Sequence, residues 1–122
     1  MKKILVVDDD PRIRETFQYV LSTSGYESIT VANITHAEQV LLTQPVHMVV
    51  SDLNLGDDES GLTLLKAIRK TNDTIPVIIF SGSLTPQNEA QLKEARANEL
   101  LDKGSGIIPV MEKIGSLMAG LV

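Results

Sequence analysis

The fold is decided by the stretch Ile4–Pro11, "ILVVDDDP", and by similar stretches further along the chain. Its four apolar residues, mostly β-branched, are followed at once by three aspartates. Near-continuous apolar runs recur as "VHMVV" at 46–50 and "IPVIIF" at 75–80, a pattern typical of parallel strands covered on both faces. The more polar, alternating "YESITVA" at 26–32 predicts an edge strand, and "ELLD" at 99–102 predicts a fifth.

A helix is predicted after each of the first two strands. The apolar face of the first helix consists of Ile13, Phe17, Val20 and Leu21. Asp10 followed by Pro11 is typical of a helix start, and Gly25 stands where a C-terminal cap belongs. In the second helix, Thr35 and Glu38 have the spacing of a capping box. The inward-facing residues of that helix are Ala37, Val40 and Leu41.

Three further helices complete the alternation. The third is predicted to begin at Ser60, and the fourth at Thr85 with Pro86 in its first turn. The apolar stripe of the fifth consists of Ile107, Met111, Ile114, Met118 and Leu121. Strand then helix, five times over with short connections, implies right-handed crossovers and a doubly wound α/β fold with a parallel sheet. At 122 residues, we expect the whole chain, 1–122, to form a single domain.

Composition excludes several functional classes. The net charge of -5 and the near absence of aromatic residues argue against nucleic-acid binding through this domain. The chain has no Cys, which excludes disulfides, thiolate catalysis and cysteine-based metal sites. No segment has the pattern of a signal peptide or the length of a transmembrane span, so we expect a cytoplasmic protein with no membrane partner.

Carboxylates gather at the predicted strand ends. In a doubly wound sheet, ligands bind beyond the carboxyl ends of the strands, where Asp8, Asp9 and Asp52 stand. A helix cap needs one side chain, which Asp10 supplies, so capping does not explain why Asp8 and Asp9 are also present. Three converging carboxylates repel by several kcal/mol at ~4 to 6 Å in an intermediate dielectric. A hard divalent cation would hold them together, and Mg²⁺ suits a site with few carboxylates better than Ca²⁺ does.

A hydroxyl and an ammonium group follow the last two strands. Ser81 comes after the fourth strand and Lys103 after the fifth. Each by itself favours a structural interpretation, as a turn residue and as a solvated lysine. Together with the acidic residues they make a more specific set, because Mg²⁺, a carboxylate nucleophile, a hydroxyl donor and an ammonium group are the parts needed for phosphoryl transfer.

Other polar residues are interpreted as structural. His36 and His47 are not spaced as zinc ligands, and we expect them on a helix surface and early in a strand. Asp57, Asp58 and Glu59 are expected to form a solvated acidic loop that leads to the helix start at Ser60.

These motifs resemble the response-regulator receiver domain of two-component signalling. The matching segments are "ILVVDDDPRIR", "VVSDLNLGDDESGLTLLKAIR", "IPVIIFSG" and "LLDKG", which occur in this order across essentially the whole chain. The resemblance implies a flavodoxin-like (βα)5 fold with strand order 2-1-3-4-5. It implies Mg²⁺ as the cofactor, held by Asp8, Asp9, Asp52 and the backbone carbonyl of Asn54, with Asp9 the more direct ligand.

The resemblance also implies a phosphorylation switch. Asp52 would accept a phosphoryl group from a histidine kinase or a histidine phosphotransfer protein. Ser81 would hydrogen-bond the phosphoryl oxygen, and Lys103 would form an ion pair with the phosphoryl group. Such a protein catalyses only its own phosphorylation and dephosphorylation and is not a metabolic enzyme. The output partner is left open, as is a homodimer formed on phosphorylation.

The chain departs from the family pattern at three positions. Gly104 follows the lysine where the family usually has a cis proline, which predicts a looser loop. Leu100 replaces the aromatic residue whose rotation commonly reports movement of the hydroxyl group. Arg96 stands where glycine often ends the fourth helix, which predicts a different shape for that helix end.

Two other functions are compatible with parts of this sequence. One is a receiver-like interaction domain that no longer cycles phosphate and binds its partner constitutively. The departures at Leu100 and Gly104 favour it, whereas the intact set of aspartates, Ser81 and Lys103 argues against it. The other is a Mg²⁺-dependent hydrolase of another doubly wound family. Such a hydrolase normally has a substrate-covering cap, and this chain is too short to carry one.

Overall fold

The computed structural model describes residues 1–120. The strands are β1 (Lys3–Val7), β2 (Glu27–Val31), β3 (Met48–Ser51), β4 (Val77–Ser81) and β5 (Glu99–Asp102). The helices are α1 (Pro11–Thr23), α2 (Ile34–Thr43), α3 (Gly61–Thr71), α4 (Pro86–Glu94) and α5 (Ile108–Ala119). A short 3-10 turn at Lys103–Ser105 separates β5 from α5. In the described residues no helix is both long enough and apolar enough to cross a bilayer.

The five strands form one parallel sheet in the order β2-β1-β3-β4-β5. The predicted doubly wound fold and its strand order 2-1-3-4-5 are therefore confirmed. In the register of the sheet, Val7 at the end of β1 lies beside Ser51 at the end of β3. The chain reverses its direction of travel across the sheet between these two strands, so the residues that follow them flank the crevice where such folds bind ligands.

Apolar side chains cover both faces of the sheet, which explains the continuous apolar runs. Ile4 and Val6 of β1 join a cluster with Phe17 of α1 and Ile114 of α5 on one face. Leu5 and Val7 point the opposite way, into a cluster made with α2, α3 and α4. Leu121, the last residue of the predicted α5 stripe, lies outside the described residues.

Local side-chain caps start three of the helices where the sequence predicts them. Asp10 accepts a hydrogen bond from the backbone N–H of Arg12, and Pro11 is the first helical residue of α1. Ser60 caps α3, and Thr85 caps α4 in a reciprocal capping box with Asn88. These starts could be predicted because the cap and the helix are adjacent in sequence.

The helix α2 begins within the predicted stretch 33–38, but the predicted capping box of Thr35 and Glu38 is wrong. Asn33 is the capping residue, and its side chain accepts a hydrogen bond of 2.9 Å from the backbone N–H of His36, so Thr35 is already helical. The side chain of Glu59 accepts a second bond from the backbone N–H of Ile34 at 2.9 Å. Glu59 is therefore not simply part of a solvated acidic loop, because it satisfies a free amide at the start of another helix.

The end of α4 retains a left-handed residue although it lacks glycine. Arg96 has φ of 71°, the conformation that glycine adopts at low cost, so the expected change in the shape of this helix end is not seen. The carbonyl oxygen of Arg96 accepts hydrogen bonds from the buried guanidinium group of Arg69. Its own side chain pairs with Asp73 at 3.0 Å.

The loop after β5 is also held in a defined way. The backbone N–H of Gly104 donates to the side chain of Asp102 at 2.9 Å and caps the 3-10 turn. Proline has no N–H and could not make this bond. The predicted looseness at Gly104 is thus offset by a hydrogen bond that depends on the absence of proline.

Candidate functional site

Three carboxylates meet at the carboxyl edge of the sheet. Asp8 directly follows β1, and Asp52 directly follows β3, where its N–H donates to the carbonyl oxygen of Val7 at 2.9 Å. One oxygen each from Asp8, Asp9 and Asp52 lies within 4.8 Å of the others. The structure therefore brings together the three aspartates that the strand ends single out.

Lys103 lies between two of these carboxylates. Its Nζ is 2.9 Å from Oδ2 of Asp8 and 2.8 Å from Oδ2 of Asp52. Burial acts to lower the pKa of Lys103, but hydrogen bonds to Asp52 and Asp8 outweigh it, so the pKa is raised and the ammonium form is favoured. The ammonium group offsets the repulsion between Asp8 and Asp52 in the structure as it stands.

The two adjacent aspartates have different surroundings. Asp8 is buried, and its Oδ1 accepts a hydrogen bond of 2.9 Å from the N–H of Asp10. Desolvation is the largest influence on Asp8 and raises its pKa, despite the opposing hydrogen bond from Lys103. Asp9 is exposed, with its Oδ2 beside Gly56, where an added Cβ would lie 3.3 Å away.

The loop after β3 folds back beside Asp52. Asn54 donates its backbone N–H to Oδ1 of Asp52 at 3.4 Å, and its own side chain accepts a bond from the N–H of Gly56 at 3.2 Å. Asn54 also forms an antiparallel bridge with Ser60, which directs the chain into α3. The loop residues beside the carboxylates are thus held by their own hydrogen bonds.

The hydroxyl group of Ser81 stands at the end of β4. Ser81 is fully buried, and its Oγ accepts a hydrogen bond of 3.1 Å from the N–H of Ser83. Leu100 packs with the core on the side of α2, α3 and α4, where the family commonly has an aromatic residue. Any movement of the Ser81 loop is therefore not coupled to an aromatic ring at position 100.

The two histidines stay away from the carboxylates. His36 is exposed on α2. His47 lies immediately before β3, and its Nδ1 accepts a hydrogen bond of 3.0 Å from the backbone N–H of Lys3. This contact agrees with the prediction that His47 has a structural role.

Sequence reasoning missed two residues that contact the backbone of the site aspartates. Gly61 packs directly on the backbone of Asp52, and an added Cβ would fall onto the carbonyl oxygen of Asp52. Arg14 reaches back from α1 and donates from Nη1 to the carbonyl oxygen of Asp8 at 2.8 Å. Both act on backbone atoms, and no motif in the sequence marks such a contact.

The raised pKa of Asp8 has a testable effect on stability. Because folding favours the protonated form of Asp8, its ionised form lowers the stability of the folded state at neutral pH. In metal-free buffer at pH 7, Asp8→Asn should raise the thermal midpoint by about 3 °C. The gain should shrink as the pH falls through the raised pKa of Asp8 and should vanish below the ordinary Asp pKa of 3.8, where wild-type Asp8 is protonated in both states.

Asp10→Asn provides a control of opposite sign. The hydrogen bond from the side chain of Arg12 is the main cause that lowers the pKa of Asp10. Asp10 therefore contributes stability above its unfolded pKa that is lost as the pH falls through its folded pKa. Asp10→Asn should lower the thermal midpoint at pH 7 and have no effect in strong acid. A midpoint that falls for both variants at pH 7 would contradict the assignment for Asp8.

The geometry agrees with a match to a known family. The family model described as the response regulator receiver domain matches residues 4–114. The match spans most of the chain, from β1 into α5. The chain therefore belongs to the response-regulator receiver family.

Curated relatives are longer regulators. The NtrX-like response regulator of Rickettsia bellii is 33% identical over 101 residues, which cover 82% of this chain and 21% of the relative. The transcriptional regulatory protein AruR of Pseudomonas aeruginosa is 38% identical over 85 residues, which cover 66% of this chain and 34% of AruR. The chain thus matches about a fifth to a third of the length of these relatives.

Solved structures share the fold. The response regulator TrrA of Thermotoga maritima, in complex with Mg²⁺ and BeF, superposes with a TM-score of 0.85 and is 30% identical, over 96% of this chain and 99% of that chain. The receiver domain of the Francisella response regulator 1452 superposes with a TM-score of 0.90 over 100% of both chains, at 24% identity. The second likeness concerns the fold alone.

Proposed function

We propose that residues 1–122 form a single phospho-accepting receiver domain, in which Mg²⁺-dependent phosphoryl transfer to Asp52 switches a partner-binding surface. The observation that carries the proposal is the bridge made by Lys103 between Asp8 and Asp52 beside the exposed carboxylate of Asp9. On this proposal, Asp52 acts as the nucleophile, Lys103 as a fixed cation and the three carboxylates as hard oxygen ligands at one edge of the sheet.

The carboxylate of Asp52 is prepared for attack on phosphorus. Its Oδ2 is 2.8 Å from the ammonium group of Lys103, and its Oδ1 accepts from the N–H of Asn54 at 3.4 Å. An oxygen of Asp52 forms a bond to phosphorus while the bond between phosphorus and the donor's imidazole nitrogen breaks, and the imidazole keeps that electron pair. The ammonium group of Lys103 is then placed to pair with the transferred phosphoryl group.

The acidic cluster fits magnesium by the chemistry of its donors. Asp8, Asp9 and Asp52 offer three carboxylate oxygens within 4.8 Å of one another and no soft ligand. We propose that these residues and the backbone carbonyl of Asn54 hold Mg²⁺. The bound ion would neutralise charge on the transferring phosphoryl group.

A short chain of hydrogen bonds connects Ser81 to α4. The N–H of Ser83 donates to the hydroxyl oxygen of Ser81, and the carbonyl oxygen of Ser83 accepts from Nδ2 of Asn88 at 2.9 Å. Oδ1 of Asn88 accepts from the N–H of Thr85 at 2.7 Å. Only Leu92 of α4 is buried, so the helix is weakly anchored. A hydroxyl group drawn to a phosphoryl oxygen would break its bond to Ser83 and release the start of this helix.

The partners follow from the family. We propose a histidine kinase or a histidine phosphotransfer protein as the phosphoryl donor, in the cytoplasm. We propose that the output partner, and a second copy in any homodimer formed on phosphorylation, binds at the surface of α4 and β5, of which α4 is connected to Ser81 through Ser83 and Asn88. The chain catalyses its own phosphorylation and dephosphorylation rather than a metabolic reaction.

Intact-mass measurement tests the proposal. Incubation with acetyl phosphate and Mg²⁺ should add the mass of one phosphoryl group, and chelation of the metal should prevent the gain. Asp52→Asn should show no gain, because the amide is not a nucleophile of comparable strength. No gain with acetyl phosphate or with a phosphorylated phosphotransfer protein would favour an interaction domain that does not cycle phosphate. Steady turnover of varied phosphate esters would favour a hydrolase.

A further inference from the structure

The carboxylate of Asp9 lacks side-chain partners of its own. Hydrogen bonds and ion pairs among residues 1–120 engage the carboxylates of Asp8 and Asp52, but none engages that of Asp9. Asp9 is nevertheless the exposed member of the cluster, and its Oδ2 lies against Gly56. The position from which this carboxylate extends is therefore set by the backbone at Asp9, without help from side-chain contacts.

That backbone is held at the peptide group between Asp8 and Asp9. The preceding peptide group is held by the sheet, because the N–H of Asp8 donates to the carbonyl oxygen of Val31 at 3.1 Å. The carbonyl oxygen of Asp8 accepts a bond of 2.8 Å from Nη1 of Arg14. Since a peptide group is planar, a bond that fixes this carbonyl also fixes the N–H and Cα of Asp9.

Arg14 is well placed to fix the peptide. It lies in the first turns of α1, where its N–H donates to the carbonyl oxygen of Asp10 at 3.2 Å, and its side chain is half-buried. A guanidinium donor makes a stronger bond to a carbonyl than a neutral group does. Arg12 on the same helix is different, because its side chain is 88% exposed and bonds only to Asp10.

We propose that Arg14 is a positioning residue, which holds the peptide between Asp8 and Asp9 and so aims the carboxylate of Asp9 at a divalent cation. The inference rests on the proposed magnesium site. Electrostatics alone predicts the opposite effect, because a guanidinium group near a cation site repels the cation. The sign of the change in affinity therefore separates positioning from charge.

Magnesium titration followed by the backbone amide signals of Asp9 and Asp10 tests the inference. Arg14→Gln should bind Mg²⁺ about 10-fold more weakly than the wild type, the scale at which residues that orient metal ligands act. The amide signal of Asp9 should also shift in the metal-free protein. The control Arg12→Gln, which removes the same charge from the same helix, should bind Mg²⁺ as tightly as the wild type or slightly more tightly.

The conservative variant supplies a second measurement. Arg14→Lys keeps the charge but replaces the fixed planar donor with a mobile ammonium group, so its affinity should fall between those of the wild type and Arg14→Gln. If Arg14→Gln does not fold, this variant decides the matter. Weaker binding than in Arg12→Lys supports positioning, and equal binding overturns it.

The outcomes separate this inference from the proposed function. A wild-type chain that binds no Mg²⁺ overturns both. A wild-type chain that binds Mg²⁺, with Arg14→Gln binding it equally or more tightly, overturns the positioning role alone. An equal loss of affinity in Arg14→Gln and Arg12→Gln also overturns it, because the loss would then not depend on the bond to Asp8.

Discussion

Gly61→Ala is expected to lower the free energy of unfolding by about 3 kcal/mol, at the upper end of the cost of overpacking. The added methyl group would fall onto the carbonyl oxygen of Asp52, 3.1 Å from its carbonyl carbon and 3.2 Å from Cα of Leu53. These neighbours are backbone atoms, so they cannot avoid the clash by changing rotamer. Urea unfolding followed by circular dichroism measures the loss.

The same substitution should also impair the site. Relief of the clash requires the backbone of Asp52 or the start of α3 to move, which would disturb the 2.8 Å contact between the carboxylate of Asp52 and Nζ of Lys103. Phosphorylation by acetyl phosphate should therefore be slower in the folded fraction of Gly61→Ala than in the wild type. Gly115→Ala is the matched control, because Gly115 lies within α5 with no heavy atom within 4 Å of the added Cβ.

Gly115→Ala should stabilise the fold by about 0.5 to 1 kcal/mol, since alanine is the better helix former. The two substitutions thus have expected effects of opposite sign. Equal stability of the two variants would show that the close approach of α3 to Asp52 is not a tight contact.

Arg69→Met should destabilise the fold by about 3 kcal/mol. The buried guanidinium group donates to the carbonyl oxygens of Arg96, Asn72 and Ile75 and to Oδ1 of Asn98, at distances from 2.8 to 3.3 Å. Methionine retains much of the apolar stem but leaves these acceptors without their charged donor. Unpaired buried acceptors cost about 1 to 3 kcal/mol each, partly recovered where water enters.

The loss in Arg69→Met should be accompanied by faster amide exchange at residues 95–98. Desolvation and the charge of Arg96 both lower the pKa of Arg69, so keeping this guanidinium charged in the fold has a small cost in stability. Arg69→Met removes that cost, which limits the expected loss of stability. Lys70→Met is the control, because Lys70 is the exposed neighbour on α3 and should change stability by less than about 0.5 kcal/mol. Similar unfolding midpoints for the two variants would rule out a structural role for the Arg69 contacts.

Much of the fold could be predicted because its signals are local. Runs such as Ile4–Val7 are apolar on both faces because α1 and α5 cover one side and the other helices cover the second. The capping of α2 could not be fully predicted from adjacent residues. One of its two caps is Glu59, which lies 25 positions beyond Ile34 in the sequence.

The site, like the fold, contains some features that the sequence predicts and others that it does not. The meeting of Asp8, Asp9 and Asp52 could be predicted because parallel strands end at the same edge. Gly61 and Arg14 could not, because they act on backbone carbonyls and any sequence can supply a carbonyl. The strand order came from resemblance to a family, whereas periodicity alone indicated only an open parallel sheet.

The bridge made by Lys103 has a consequence for charge balance. With each group in its usual form at neutral pH, three carboxylates and one ammonium group give a net formal charge of two minus at the sheet edge. One divalent cation matches that charge, whereas a monovalent ion leaves half of it uncompensated. On the proposed function, Lys103 would therefore have a role beyond pairing with a phosphoryl group: it would match the formal charge of this edge to that of a divalent cation.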